Sequence, residues 1–161
     1  MDLAYLTGQR PADVLRFQET DIKEGDICLT QGKTGKKLRL KLVGQLAALI
    51  GRIMERKRPH SIRSLALVCN EKGQALTKFA LRSRFDKARD LAREAARKAG
   101  DSALADAVAH FQFRDLRAKA GTDKADSAGM MEAQKQLGHQ SIVMTQHYVR
   151  NKKGERVDPT K

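Results

Sequence analysis

From Lys36 to Leu42 the chain alternates Leu38, Leu40 and Leu42 with Lys37, Arg39 and Lys41. A period of two means a strand with one apolar face to bury and one cationic face to present. Gly32-Lys33-Thr34-Gly35 before it has turn composition, and Ile27 to Thr30 supplies a partner, so the segment reads as a hairpin. The spacing elsewhere is helical. Residues 2–6 read as the end of a helix broken at Thr7-Gly8-Gln9-Arg10-Pro11, and Pro11 suits the first turn of a new helix reaching about Phe17. A helix from about Val43 to Lys57 places Leu46, Leu49, Ile50 and Ile53 on one stripe, and Pro59 closes it. Leu65 to Cys69 is expected as a third strand beside the hairpin. Thr77 caps a long helix with Leu81, Phe85, Ala88, Ala92, Ala95 and Ala99 at helical spacing, and Gly100 stops it. Residues 101–109, polar and Ala-rich, are assigned no element, and helices follow near 114–125, 130–137 and 141–149. There is no internal repeat or low-complexity linker. The reading is one domain over 1–161, with a core at 1–149 and a basic, extended tail at 150–161.

Composition agrees. Hydrophobic residues make up 40 % of the chain, much of it Ala, and aromatics only 4 %, which favours a helical domain with a modest core over an aromatic-rich sandwich. The net charge of +13 makes a polyanion the simplest partner, because each phosphate neutralised by Lys or Arg releases condensed counterions. The charge is also unevenly spread. Residues 1–30 carry three basic and six acidic side chains, 31–63 ten and one, and 78–98 eight and three, which suits a surface turned towards DNA. Cys28 and Cys69 are isolated thiols that make neither a disulfide framework nor a zinc motif, so a reduced, cytosolic setting is expected. No stretch has the apolar length of a membrane span, and the start is not a signal peptide.

Four short patterns carry candidate chemistry: Thr7-Gly8-Gln9-Arg10-Pro11-Ala12-Asp13, Gly32-Lys33-Thr34-Gly35, Arg114-Asp115-Leu116-Arg117, and Leu137-Gly138-His139-Gln140-Ser141 followed by Thr145-Gln146-His147-Tyr148. Singly, the first three have ordinary explanations: a helix break with a surface arginine, a solvated hairpin lysine, and a solvated arginine on a basic helix. The fourth, with His139 and Tyr148 nine positions apart, is harder to meet by chance. Its ordinary explanation is a tight inter-helix turn with a capping Ser141 and a packed Tyr148.

In this order the patterns resemble the catalytic domain of the tyrosine recombinases, or phage integrases, from Thr7 to about Arg150. The resemblance implies a mainly α fold with a small antiparallel β-sheet packed on one side. It also implies a site in which Arg10, Lys33, Arg117 and His139 surround the nucleophile Tyr148, with Asp13 supporting Arg10. One position departs. The family usually has His, sometimes Lys, three residues before the second arginine, and Arg114 stands there. Arg114 supplies charge and donors but cannot accept the tyrosine proton as a neutral imidazole could, which leaves the general base unassigned.

The implied reaction suits these residue types. Tyr148 attacks a phosphodiester in line, giving a 3′-phosphotyrosine bond and a free 5′-hydroxyl. A phenol has an ordinary pKa of about 10, so a cationic pocket is needed to ease phenolate formation and to stabilise charge on the non-bridging oxygens. Arg10 and Arg117 can each bridge two phosphate oxygens, and His139 is expected to donate a further hydrogen bond. Lys33, on a mobile turn, would protonate the departing 5′-oxygen. Asp13, three positions after Arg10, would orient that arginine, or serve as an ordinary helix N-terminal acid. No metal or other cofactor is called for. Lys36, Lys37, Arg39 and Lys41 on the hairpin, with Arg82, Arg84 and Arg89 on the long helix, are candidate contacts to the backbone of double-stranded DNA, although any one of them is equally well a solvated surface charge.

The rival readings are a type IB topoisomerase-like enzyme, a catalytically silent DNA-binding remnant, and a basic adaptor for acidic proteins. The family's amino-terminal DNA-clamping and arm-binding domains are not in the chain, so it is expected to be a domain of a longer recombinase. Such recombinases act as tetramers on two duplexes, and the isolated domain is expected to bind DNA weakly. The DNA site, and integration as against excision, are not legible.

Overall fold

The hairpin forms where the alternation puts it. In the computed structural model, which describes residues 1–61, 63–149 and 160, strand β2 (Asp26–Thr30) pairs antiparallel with β3 (Lys37–Lys41), setting Ile27 opposite Leu40 and Leu29 opposite Leu38. Leu38, Leu40 and Leu42 are half-buried against the core, and Lys37, Arg39 and Lys41 are exposed.

The third strand is not the expected one. β1 (Ile22–Lys23) lies on the other edge of β2, with Ile22 opposite Ile27, and the sheet order is β1-β2-β3. Leu65 to Cys69 makes only isolated bridges, Ala66 with Gln18 and Cys69 with Ala75. Its backbone groups are committed elsewhere. The Leu65 carbonyl accepts from Glu19 N, Leu67 N donates to the Phe17 carbonyl, and the Ala66 carbonyl accepts from the Lys57 ammonium at 2.6 Å and the Cys69 thiol at 3.0 Å.

Eight helices surround the sheet among the described residues. α1 (Asp2–Thr7) and α2 (Pro11–Val14) flank the first glycine–arginine break. α2 stops short of the expected Phe17, since Phe17 is buried and its carbonyl pairs with the 65–67 segment. α3 (Gly44–Lys57) buries Leu46, Leu49 and Ile50 on the expected stripe. α4 (Lys78–Lys98) starts at Thr77, whose hydroxyl accepts from Ala80 N at 3.1 Å. The unassigned stretch proves to be α5 (Ser102–His110), capped by the Asp101 carboxylate accepting from Leu104 N at 2.8 Å. Its packed side is small, with Ala105 buried and Val108 and Ala109 half-buried, and α4 lies alongside. α6 (Asp115–Ala128), α7 (Met130–Leu137) and α8 (Ile142–Tyr148) follow close to the expected ranges. The tail reading at 150–161 lies, Thr160 apart, outside the described residues.

The main core joins α1, α3 and β2 through Leu3, Leu49, Ile50, Ile27 and Leu29, with Phe17 and Leu67 buried beside them. A smaller aromatic cluster sets Phe85 of α4 against Phe111 and Phe113, with ring centroids 5.9 and 5.3 Å apart. No described helix is long and apolar enough to cross a membrane.

Lys57 is only 2 % exposed and forms an ion pair with Glu19 besides its bond to Ala66. Removing one member of a buried pair leaves the other charge uncompensated, at a cost of about 3–5 kcal/mol. Lys57→Ala should therefore lower the unfolding free energy by about 3 kcal/mol in denaturant titration. A loss no larger than that of an exposed lysine would show that the pair does not hold the 65–67 segment in place.

Candidate active site

Arg117, in the first turn of α6, is 3 % exposed, so its charge has to be met by the protein. Its Nη1 donates to the Gly8 carbonyl at 2.5 Å, and Nη2 donates to the Leu137 carbonyl at 2.6 Å and to His139 Nε2 at 3.1 Å. Those acceptors come from both ends of the chain. Gly8 ends α1 with φ 66°, a left-handed conformation that favours glycine, and a Cβ there would lie 3.3 Å from the Leu137 side chain. The first arginine loop is thus seated directly on the carboxyl end of α7.

His139 is 2 % exposed and held on both nitrogens. A guanidinium can only donate, so Nε2 accepts from Arg117 and the ring proton sits on Nδ1, which donates to Thr145 Oγ1 at 3.1 Å. Burial, then the charges of Arg117, Arg10 and Lys36, push the His139 pKa down from 6.5 to about 4. The imidazole is neutral at pH 7. It was expected to donate to phosphate, but here its one N–H is already given to Thr145.

Tyr148, the last residue of α8, closes the cluster. Its ring centroid is 4.9 Å from that of His139, and the Arg117 guanidinium carbon lies 5.5 Å from the Tyr148 ring centre. Ser141 caps α8, its hydroxyl accepting from Val143 N at 3.2 Å, and so sets the helix that carries the tyrosine. Arg10 occupies the N-cap of α2 and is near enough for its charge to depress both Arg117 and His139. Burial first and Arg10 second lower the Arg117 pKa to about 10, opposed by Tyr148 and Asp13, and the group stays charged at neutral pH. Arg10 Nη1 and Arg117 Nε are buried and have no hydrogen-bond partner among the described residues. Two like charges with unpaired donors suit an oxyanion placed between them.

The other expected residues divide. The Asp13 carboxylate forms no hydrogen bond or ion pair with the Arg10 guanidinium. Its Oδ1 accepts from Gly32 N at 2.8 Å and lies 3.8 Å from Arg16, so it holds the hairpin rather than the arginine. Lys33 is exposed on that turn, and Lys36 is half-buried near His139. Arg114 is exposed at the N-cap of α6 and lines a surface recess with Arg82 and Arg89 of α4, away from the hydrogen-bonded cluster around Arg117. Four of the candidate DNA contacts are ion-paired: Arg39 with Asp26 and Glu24, Arg82 and Arg89 with Asp86, and Arg84 with Glu71. Lys37 and Lys41 are exposed and have no ion pair among the described residues. Sequence reading missed Gln9, Gln31 and Thr145, all buried at the site. Gln9 and Thr145 lie inside the patterns singled out, but nothing local tells a buried polar side chain from a solvated one.

The phage integrase family model matches residues 1–155. The chain belongs to the phage integrase family. The integrase of Escherichia phage HK022 is 29 % identical over 161 residues, covering 98 % of this chain and 42 % of that protein, so the chain spans less than half the length of this relative. Among solved structures, a lambda integrase (75-356) dimer bound to a COC′ core site superposes with a TM-score of 0.71 at 19 % identity, covering 99 % of this chain and 53 % of that one. XerA recombinase gives 0.67 at 17 %, covering 94 % and 52 %. The lambda integrase catalytic core gives 0.65 at 18 %, covering 86 % and 76 %. The mainly helical fold with its three-stranded antiparallel sheet is therefore the integrase catalytic-core fold.

For this integrase-family site the depressed His139 pKa has a definite sign. Its contribution to stability is fully present above about pH 6.5 and is lost as pH falls from there towards 4, because the unfolded chain takes up the proton first. Nitrogen-15 chemical shifts of the imidazole should show Nδ1 protonated and Nε2 bare at pH 6 and above. A ring titrating near 6.5, or protonated on Nε2, would refute the assignment.

Proposed function

We propose that the chain is the catalytic domain of a site-specific DNA recombinase, a tyrosine-type strand transferase that cuts and rejoins duplex DNA through a 3′-phosphotyrosine intermediate. The observation that carries this reading is the meeting of Tyr148 with His139 and the two arginines, whose leftover donors suit one phosphate. Arg10 and Arg117 bind the non-bridging oxygens and stabilise the charge that builds on them. Tyr148, its phenolic proton given up to solvent, forms the O–P bond as the P–O5′ bond breaks, and Lys33 gives the departing oxygen its proton. A 5′-hydroxyl of a partner strand then attacks the phosphotyrosine and restores the tyrosine. Neutral His139 packs against the tyrosine ring and shares the Arg117 guanidinium, keeping both in register.

Duplex DNA is the substrate. Lys36, Lys37 and Lys41 are the readiest phosphate contacts. Arg39, Arg82 and Arg84 are exposed, and surface ion pairs such as theirs are worth about 0–1 kcal/mol and can be exchanged for phosphate. Arg114 is exposed and Arg89 half-buried beside them. In a longer protein the assembly would be a tetramer on two duplexes, working in the bacterial cytoplasm at the nucleoid. One solved structure of lambda integrase is a tetramer bound to a Holliday junction.

A suicide DNA substrate that loses its 5′-hydroxyl fragment by diffusion should trap a covalent complex, and Tyr148→Phe should abolish it while leaving gel-shift binding intact. Arg10→Ala should lower single-turnover cleavage by roughly 10²–10³-fold. Binding with no covalent adduct from the unaltered chain would instead support a silent DNA-binding remnant. In a salt titration of binding, six phosphate contacts give a slope of log affinity on log salt of about −5. A flat dependence would rule out the proposed DNA surface.

A further inference from the structure

Two buried glutamines that take no part in the chemistry above tie together the three loops that supply it. Gln9 and Gln31 are each 1 % exposed. Gln31 Nε2 donates to Gln9 Oε1 at 2.7 Å and to the Leu137 carbonyl at 2.9 Å, and Gln31 Oε1 accepts from the Thr34 hydroxyl at 2.7 Å. Gln9 Nε2 donates to the Thr7 carbonyl at 3.0 Å and the Gln136 carbonyl at 2.8 Å. All four side-chain N–H groups are satisfied inside the protein. A buried amide network is costly unless it is completed in this way, and once completed it fixes one arrangement of the segments it joins.

The joined segments are the Arg10 loop, the Lys33 hairpin and the turn that leads into His139. Leu137 supplies the junction: its carbonyl accepts from Gln31 and also from Arg117 Nη2 at 2.6 Å. The fit is tight, since a Cβ on Gly138 would come within 2.7 Å of the Gln31 amide. Asp13 holds the next residue of the hairpin through Gly32 N. Lys33 is two residues from Gln31, a span of about 7 Å at most, so these anchors set where the lysine starts. Thr34 and Gly35 beyond it are also bonded to Gln31, which leaves the exposed Lys33 side chain free to turn about a fixed start.

We propose that Gln31, latched to Gln9 and Leu137, is a positioning residue for proton delivery by Lys33. This rests on Lys33 being the general acid of the proposed reaction. Misplacing a general acid slows expulsion of a poor leaving group and leaves a good one almost unaffected. Gln31→Met keeps the length of the side chain and removes its polar atoms, and Lys33→Ala serves as the reference.

Both variants of the full chain would be assayed in single-turnover cleavage on two suicide substrates. One has the natural bridging oxygen, and in the other sulfur replaces the 5′-bridging oxygen. With sulfur, the Tyr148 O–P bond forms, the P–S bond breaks, and the sulfur departs with its electron pair as a thiolate, needing no proton. Gln31→Met should be about 10- to 100-fold slower than the unaltered chain on the oxygen substrate, and within about 3-fold of it on the sulfur substrate. A loss of equal size on both substrates, or no loss on either, would overturn the latch. Lys33→Ala separates that failure from failure of the underlying reading: if sulfur does not rescue Lys33→Ala, the lysine is not the general acid. Independently of activity, amide hydrogen exchange at Gly35, whose N–H donates to the Gln31 carbonyl at 2.9 Å, should quicken in Gln31→Met. Unchanged exchange would count against the latch as well.

Discussion

A guanidinium buried to 3 % exposure, held by two carbonyls from opposite ends of the chain, sets the terms for the rest of this molecule. Arg117 cannot be left without acceptors in that position, because an unmet buried charge costs more than a small domain can spare. Its demand for the Gly8 and Leu137 carbonyls brings the α1–α2 break and the end of α7 to the amino end of α6. Once those loops are in place, Arg10 and His139 have little freedom left, and Tyr148 needs only the short α8 to reach them. The same arrangement that satisfies a buried charge assembles the candidate active site.

The electrostatics of that site depend on neutral and negative groups as much as on the arginines. Burial first and repulsion from Arg10 second lower the Arg117 pKa, and Tyr148 and the nearby Asp13 work in the opposite direction. His139 avoids adding a third positive charge by staying neutral, with its proton given to Thr145. The donors left over, Arg10 Nη1 and Arg117 Nε, then remain available to an oxyanion, while the Nη1 and Nη2 groups of Arg117 hold the loops together. Around it Arg39, Arg82, Arg84 and Arg89 are held in weak ion pairs with Glu24, Asp86 and Glu71, partners that a phosphate can replace.

Elements whose geometry follows from a local period were readable in advance. The alternation in Lys36–Leu42 and the apolar stripe of α3 lie where their spacing puts them, and so does the Thr77 cap. The misses share a different cause. Leu65 to Cys69 has strand composition, but its backbone partners are Phe17 and Glu19, distant in sequence, and the side chain of Lys57. α5 offers only a short, small apolar face around Ala105 and Val108 and is recognisable with α4 packed on it, although Asp101 was a usable capping signal. Asp13 has the spacing to pair with Arg10 on a helix face, yet α2 is a single turn and the carboxylate bonds to the hairpin.

Sequence by itself therefore determined the kinds of group present and their order: two arginines, a turn lysine, a histidine and a late tyrosine, set in a basic and mostly helical chain. These are matters of covalent identity and short-range period, and they need no knowledge of distant contacts. Only the tertiary structure decided which polar groups lie buried together. It put Gln9, Gln31 and Thr145 inside, fixed the proton of His139 on Nδ1, and left Arg114 on the surface. Burial and hydrogen-bond partners are properties of segments far apart in the chain, 106 residues between Gln31 and Leu137 and 127 between Gln9 and Gln136, and no local pattern encodes them.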